Sequence, residues 1–131
     1  MKTIKIISFI AFLFISIVFF ESCQKEQADT AVPEFTVLEP MLGDTAVGET
    51  HIEFTVTDNA GLDDLVVTIK DKSETVIYSK HSNVLDLKVF AFHDHYHLDG
   101  ITSITPLIVT LMAMDKSGNT KTKEIPIFAK P

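Results

Sequence analysis

Short stretches in which apolar and polar side chains alternate run through the chain from about residue 33 to its end. In the clearest stretch Ile52, Phe54 and Val56 occupy every second position. That spacing places them on one face of a half-buried β-strand, with polar residues on the other face. A sustained 3.6-residue period, which would indicate an amphipathic helix, is not present in this part of the sequence. The pattern therefore predicts a domain built from strands.

We predict seven strands, separated by short segments rich in Gly, Asp, Asn and Ser. They cover residues 34–39, 51–57, 65–71, 75–80, 84–92, 107–114 and 121–129. The 107–114 strand has apolar residues on both faces, which is typical of a central strand. Pro126 cannot donate a backbone hydrogen bond, so we expect the last strand to be an edge strand or to carry a bulge there.

Two of the predicted strands end in the same turn motif. Asp58 is followed by Gly61, and Asp115 is followed by Gly118. An Asp side chain at this place can accept hydrogen bonds from the next backbone N–H groups, and Gly allows the positive φ of a tight turn. Seven short strands with such turns predict an all-β fold, an antiparallel β-sandwich of the immunoglobulin (Ig) type.

These two segments resemble the strand-ending turns of bacterial Ig-like domains, including small lipoproteins that carry a single such domain. The resemblance extends over residues 33–130 and implies an Ig-like β-sandwich domain over residues 33–131. It also implies a non-catalytic adhesion, spacer or subunit role at the cell surface and supplies no catalytic residues. The domain lacks the Cys and Trp of antibody-type domains, so the resemblance is one of architecture.

The first 22 residues have the order of an export signal. Lys2 and Lys5 precede an apolar run at residues 6–20, which is shorter than the ~20 residues that a membrane-spanning helix needs. A plain transmembrane anchor is the alternative. Cys23 follows directly and is the only cysteine, so no intramolecular disulfide can form.

The position of Cys23 after the apolar run and Ser22 resembles the lipobox of bacterial lipoproteins, although Phe20 and Glu21 depart from its usual pattern. The resemblance implies cleavage before Cys23, lipidation of its thiol and anchoring in the outer membrane, on either the periplasmic or the extracellular face. A free thiol is the alternative. Residues 23–32 are mostly polar and predict a flexible tether between the lipid and the domain.

The charge of the chain excludes one class of partner. The formal net charge is −7, and the sequence contains no Arg, the residue best suited to pairing with phosphates. We therefore expect no nucleic-acid partner. Common catalytic motifs are also missing from the sequence, and the single cysteine is expected to be acylated, so the sequence predicts a protein that is not an enzyme. We expect the membrane, through the lipid, and a protein bound at an edge strand or loops as its partners.

Three of the five histidines form the one cluster that suggests a ligand. His93, His95 and His97 stand at every second position, which places them on one face of an extended strand. His93 and His97 would be ~13 Å apart and cannot share an ion on a straight strand. Two neighbouring histidines with a ligand from elsewhere predict a Zn²⁺ or Cu²⁺ site. The candidates for that further ligand are His81, His51 and Asp99. The alternative is a solvent-facing polar strand without a ligand.

A second hypothesis concerns Ca²⁺. Four carboxylates stand at predicted loop ends: Asp58, Asp63, Asp64 and Asp115. Acidic loops of this kind bind Ca²⁺ in some Ig-like and cadherin-like domains, although no loop of EF-hand spacing is present. Turn capping alone also explains Asp58 and Asp115.

Overall fold

The computed structural model describes residues 27–131, so the predicted signal peptide and the lipidation at Cys23 lie outside the described residues. The prediction of an all-β fold is confirmed, because the elements from residue 27 onward are all strands. Their bounds are β1 (Glu34–Glu39), β2 (Thr45–Val47), β3 (Glu49–Thr57), β4 (Leu62–Asp71), β5 (Val76–Ser82), β6 (Val89–His97), β7 (Thr105–Asp115) and β8 (Thr120–Lys130). No membrane-spanning helix is found among residues 27–131.

The strands form a sandwich of two sheets. The first sheet has the order β1-β3-β6, and the second has the order β2-β8-β7-β4-β5. All pairings are antiparallel except that of β2 with β8, which is parallel. The short β2 also meets β3 through the pair Val47 and Glu49, so it joins the two sheets at one corner.

The core lies between the sheets and is made by alternate residues of the strands, as the alternating pattern predicts. Phe54 of β3 is 1% exposed; its ring stacks on that of Phe92 of β6 at a centroid distance of 4.9 Å and meets Phe35 of β1 edge-on at 5.6 Å. The second sheet contributes aliphatic side chains from β4, β7 and β8. The core cluster and the residues packed on it run from Phe35 to Ala129, so within residues 27–131 the core lies from residue 33 onward.

The position of β7 also agrees with its sequence. It lies between β4 and β8, as predicted for a strand with two apolar faces. Pro126 of β8 lies opposite Ile108 of β7, and its carbonyl accepts a hydrogen bond from the N–H of Gly43 at 2.8 Å. The position lacking an N–H thus faces away from β7, and β2 pairs with β8 only from Phe128 onward. β8 is thus not an edge strand over its whole length, and it carries no bulge against β7 at Pro126. The proline interrupts no ladder because β2 pairs with β8 only beyond it.

One predicted strand is wrong at both ends. Instead of 84–92, the strand is β6 (Val89–His97), and its ladder with β3 begins at Val89 opposite Thr57. The preceding segment forms a turn in which Leu87 N–H donates to the Val84 carbonyl and Asp86 has a φ of 66°. Val84 belongs to that turn, and its side chain is fully buried in the core. Its apolar character therefore indicates burial and not membership of a strand. The three-residue β2 was also not predicted.

The two Asp-x-x-Gly turns form as predicted. Oδ1 of Asp58 accepts hydrogen bonds from the N–H groups of Ala60 and Gly61 at 2.9 and 2.7 Å. Gly61 has a φ of 117°, which residues with a side chain rarely adopt. The turn after β7 is capped in the same way by Asp115. Both turns lie at the same end of the sandwich as the segment that precedes β1.

Candidate metal site on the first sheet

The three histidines of β6 project from the outer face of the first sheet, because the residues between them face the core side. His93, His95 and His97 are all exposed, whereas Asp94 and Tyr96 are partly buried. The sequence prediction that the three share one strand face is therefore consistent with the structure. Among the described strands β6 pairs only with β3, so the register between these two strands decides which residues accompany the histidines.

That register places alternating Glu and His residues of β3 beside them. The pairs across the ladder are Glu49 with His97, His51 with His95, and Glu53 with His93. We call these six residues the histidine face. Cross-strand pairs of this kind bring Cβ atoms to within about 4.5–5.5 Å of each other, so four imidazoles and two carboxylates lie on one small area of sheet.

Glu49 lies at the end of this face where β3 begins and β6 ends. Its Oε1 lies 3.0 Å from Nε2 of His51, and its Oε2 lies 3.6 Å from Nδ1 of His97. Glu49, His95 and His97 each offer a ligand atom, and these atoms all lie within 4.8 Å of one another. The ring centroids of His51 and His95 are 6.0 Å apart, so His51 borders the same group.

These side chains have the chemistry and nearly the geometry of a transition-metal site. Zn²⁺ binds imidazole nitrogens and carboxylate oxygens at about 2.0–2.2 Å with tetrahedral geometry, which separates ligand atoms by roughly 3.4 Å. The two distances from Glu49 to His51 and His97, 3.0 and 3.6 Å, are close to that value, and the group that includes His95 lies within 4.8 Å. His51, His95 and His97 are exposed, so packing in the core does not fix their rotamers.

The other residues predicted as ligands are placed elsewhere. His93 is on the same face, but its ring is 6.5 Å from that of His95 and it lies outside the group of three. His81 is on β5 in the second sheet, where its Nε2 contacts Oδ1 of Asp64. Asp99 lies exposed in the turn after β6. Of the candidates for a further ligand, only His51 joins the histidines of β6.

Asp94 stands between two of the histidines in the sequence but has a different role. Its Oδ2 accepts a hydrogen bond from the Tyr78 hydroxyl at 2.7 Å and pairs with Nζ of Lys80 at 3.0 Å, both on β5. The hydrogen bonds from Tyr78 and Lys80 lower the pKa of Asp94 from 3.8 to about 2. The pKa of Tyr78 is raised, first by burial and then by its bond to this carboxylate. Asp94 is thus committed to the contact between the sheets.

Of the four carboxylates predicted for Ca²⁺, two meet in the structure and two lie apart from them. Asp58 and Asp115 come together, and Asp29, from the segment before β1, joins them. Asp63 lies exposed at the start of β4, and Asp64 contacts His81. The structure therefore brings two of the four together and adds a third residue that was not predicted.

Two functional candidates, Glu49 and Asp29, were missed from the sequence. The alternation that identifies β3 extends back to Glu49, and this signal was lost because the predicted strand began at His51. Asp29 carries no such signal, since it lies in a polar segment without periodicity. Only its position next to two strand ends in the folded chain reveals it.

Comparison with known proteins finds no protein-family model and no curated protein that matches this chain.

Proposed function

We propose that this protein is a lipid-anchored, non-catalytic Ig-like domain of the outer membrane that binds Zn²⁺ or Cu²⁺ through Glu49, His95 and His97 of its histidine face, with His51 beside them. The anchor and the location rest on the signal sequence and on Cys23. The Ig-like assignment is supported by the order of strands in two antiparallel sheets, β1-β3-β6 against β8-β7-β4-β5. The metal site rests on the register of β3 with β6.

The observation that carries the metal proposal is the position of Glu49 relative to the histidines. One carboxylate lies within 3.6 Å of a nitrogen of both His51 and His97, and His95 completes a group of ligand atoms within 4.8 Å. Imidazole with a carboxylate is a ligand set typical of Zn²⁺ and Cu²⁺. Hard cations such as Mg²⁺ prefer oxygen ligands and are poorly matched to it.

The surroundings of the site also favour a cation. An open depression of about 430 Å³ borders Glu49 and His51, and it is lined by two further carboxylates, Glu39 and Asp44. Negative potential around a site raises the local concentration of cations. With the lipid holding the domain at the membrane, such a site would take up or hand over metal ions in the cell envelope.

The test is isothermal titration of ZnCl₂ or CuCl₂ into the chain of residues 24–131, which contains every core residue of the part that the structure describes. We expect one site with a micromolar or tighter Kd. The double variant His95→Ala, His97→Ala should lose at least about a hundredfold in affinity. Glu49→Gln should lose at least about tenfold, because an amide oxygen is a weaker ligand than a carboxylate.

Two matched controls make the result specific. His81→Ala removes an exposed histidine from the other sheet, and His93→Ala removes one from the same face but outside the group. Both should bind within about threefold of the wild-type affinity. Absence of binding to the unsubstituted chain, or an unchanged affinity in the double variant, would refute the metal proposal.

The second candidate is a binding or spacer role that needs no metal. It is favoured by three large apolar side chains that are more than half exposed where β1 ends and the next loop begins: Leu38, Met41 and Leu42. Apolar side chains grouped in this way often mark a contact with another protein. In-cell cross-linking should then recover a partner that is lost in a Met41→Ser, Leu42→Ser variant and retained in the His95→Ala, His97→Ala variant.

A further inference from the structure

Three carboxylates meet at the end of the sandwich remote from the histidine face. Asp58 follows the last residue of β3, Asp115 is the last residue of β7, and Asp29 belongs to the segment before β1. One oxygen of each lies within 4.8 Å of an oxygen of the other two. Asp58 is 8% exposed and Asp115 is 1% exposed, so two of the three are well removed from water.

Turn capping uses only part of this group. Both oxygens of Asp115 accept hydrogen bonds, Oδ1 from the N–H groups of Ser117 and Asn119, and Oδ2 from the Asn119 side chain at 2.7 Å. Burial opposes ionisation of Asp115, yet these bonds outweigh it and lower its pKa. Asp58 is different, because its Oδ1 caps the turn whereas its Oδ2 is buried and has no hydrogen-bond partner among the described residues.

Asp29 repeats the pattern of Asp58. Its Oδ1 accepts a hydrogen bond from the N–H of Ala31, and its Oδ2 is buried without a partner in the described part of the chain. The side chain of Asn119 donates a hydrogen bond to the backbone carbonyl of Asp29 at 3.1 Å. This bond holds the segment before β1 against the turn after β7. Two carboxylate oxygens are thus turned away from water beside a third carboxylate.

Nothing in the described protein neutralises this charge. Within residues 27–131, no Lys or His side chain forms an ion pair with Asp29, Asp58 or Asp115. Carboxylates held close together in a partly buried place repel each other, and unpaired buried oxygens are unfavourable. A bound cation removes both costs at once.

We propose that Asp29, Asp58 and Asp115 bind one Ca²⁺ ion, which fastens the segment before β1 to the end of the sandwich. Ca²⁺ takes oxygen ligands at 2.3–2.6 Å, so oxygens that share one ion lie up to about 5 Å apart, as these do. The group contains no nitrogen or sulfur ligand, which disfavours Zn²⁺ and Cu²⁺. Water completes the coordination shell.

The proposed consequence concerns the tether. This consequence rests on the lipid anchor at Cys23 proposed above. Asp29 lies six residues after Cys23, so a Ca²⁺ ion that holds Asp29 fixes the domain close to that anchor and limits its reach from the membrane. This site is independent of the histidine face. Glu49 and Asp58 stand at opposite ends of β3, roughly 30 Å apart at the rise of a β-strand.

The test is a titration of CaCl₂ into the chain of residues 24–131, in which calorimetry measures the Kd and thermal unfolding measures the change in Tm. We expect a Kd of about 0.1–1 mM, as in extracellular Ca²⁺ modules, and a rise in Tm of about 5 °C at tenfold excess over the Kd. Ca²⁺ should also slow hydrogen exchange of the backbone amides in residues 27–33.

Asp29→Asn is the decisive variant, because Asp29 lies outside the strands and its side-chain oxygens cap no strand-ending turn. We expect at least a tenfold weaker Kd, loss of the protection in residues 27–33, and an unchanged or higher Tm in EDTA, since one repelling charge is gone. Asp63→Asn makes the same charge change at an exposed position outside the group and should leave Ca²⁺ binding unchanged.

The proposal is overturned if the unsubstituted chain shows no Ca²⁺-dependent shift in Tm. It is also overturned if the Asp29→Asn variant binds Ca²⁺ as tightly as the unsubstituted chain. The His95→Ala, His97→Ala variant should keep full Ca²⁺ affinity, and Asp29→Asn should keep full Zn²⁺ affinity. Failure of the Ca²⁺ site and failure of the histidine-face site are therefore separate results.

Discussion

The hydroxyl of Tyr78 on β5 donates a 2.7 Å hydrogen bond to Oδ2 of Asp94 on β6, and so links strands of different sheets. Both strands lie at the edges of their sheets on the same side of the sandwich. The rings of Tyr78 and Tyr96 also meet there, at a centroid distance of 5.3 Å. This contact closes a side of the sandwich on which no backbone hydrogen bond joins the two sheets in the described chain.

We expect the link to contribute measurably to stability. Tyr78→Phe removes the hydroxyl and should lower the free energy of unfolding by about 1–2 kcal/mol, because the acceptor is charged and partly buried. Urea unfolding of Tyr78→Phe, Asp94→Asn and the double variant gives the coupling energy, expected at about 1 kcal/mol. A coupling energy near zero would show that the two side chains do not act together.

The lowered pKa of Asp94 predicts a dependence on pH. A carboxyl group whose folded pKa is about 2 instead of 3.8 stabilises the fold above about pH 4, and this contribution disappears as the pH falls from 4 toward 2. Water screens the exposed Lys80 partner, so we expect about 1 kcal/mol from this group. Urea unfolding at pH 7, 4 and 2.5 should show a smaller loss on acidification in Asp94→Asn than in the unsubstituted chain. Asp99→Asn, at an exposed turn, is the matched control and should behave like the unsubstituted chain.

The aromatic centre of the core should be the most sensitive place in the fold. Phe54→Ala removes a ring that contacts both Phe35 and Phe92, and we expect a loss of about 3–5 kcal/mol in unfolding free energy. Phe128→Ala removes the same group from β8, where the side chain is 42% exposed, and should cost less than about 1.5 kcal/mol. Equal losses in the two variants would contradict the core described above.

Lipidation of Cys23 is a prediction of the sequence that can be tested in cells. Cells expressing the full chain and supplied with a radiolabelled fatty acid should incorporate label into the protein. Cys23→Ser should remove the label, and residues 1–22 should stay attached, because cleavage before Cys23 belongs to the same lipobox. Absence of label from the unsubstituted chain, or label that persists in Cys23→Ser, would contradict lipidation at Cys23.

Much of the fold was determined by local sequence pattern. Ile52, Phe54 and Val56 alternate with polar residues because one face of a strand is buried, and this signal is contained in a few neighbouring residues. The turns after Thr57 and Asp115 were equally readable, since an Asp that caps and a Gly with positive φ act within four residues. The alternation of His93, His95 and His97 predicted their common face for the same reason.

The tertiary structure alone decided which residues meet across the chain. Strand register is set by packing of the whole core, so no local pattern places Glu49 and His51 beside His95 and His97. Val84 is buried although it lies in a turn, and this burial depends on the space between the two sheets. Its apolar side chain led to a predicted strand that began at residue 84 instead of at Val89. Asp29 joins Asp58 and Asp115 because three distant segments end at one place in the sandwich. The sequence by itself thus determined the strand faces, the capped turns and the charge. Both candidate metal sites depend on long-range contacts that only the tertiary structure provides.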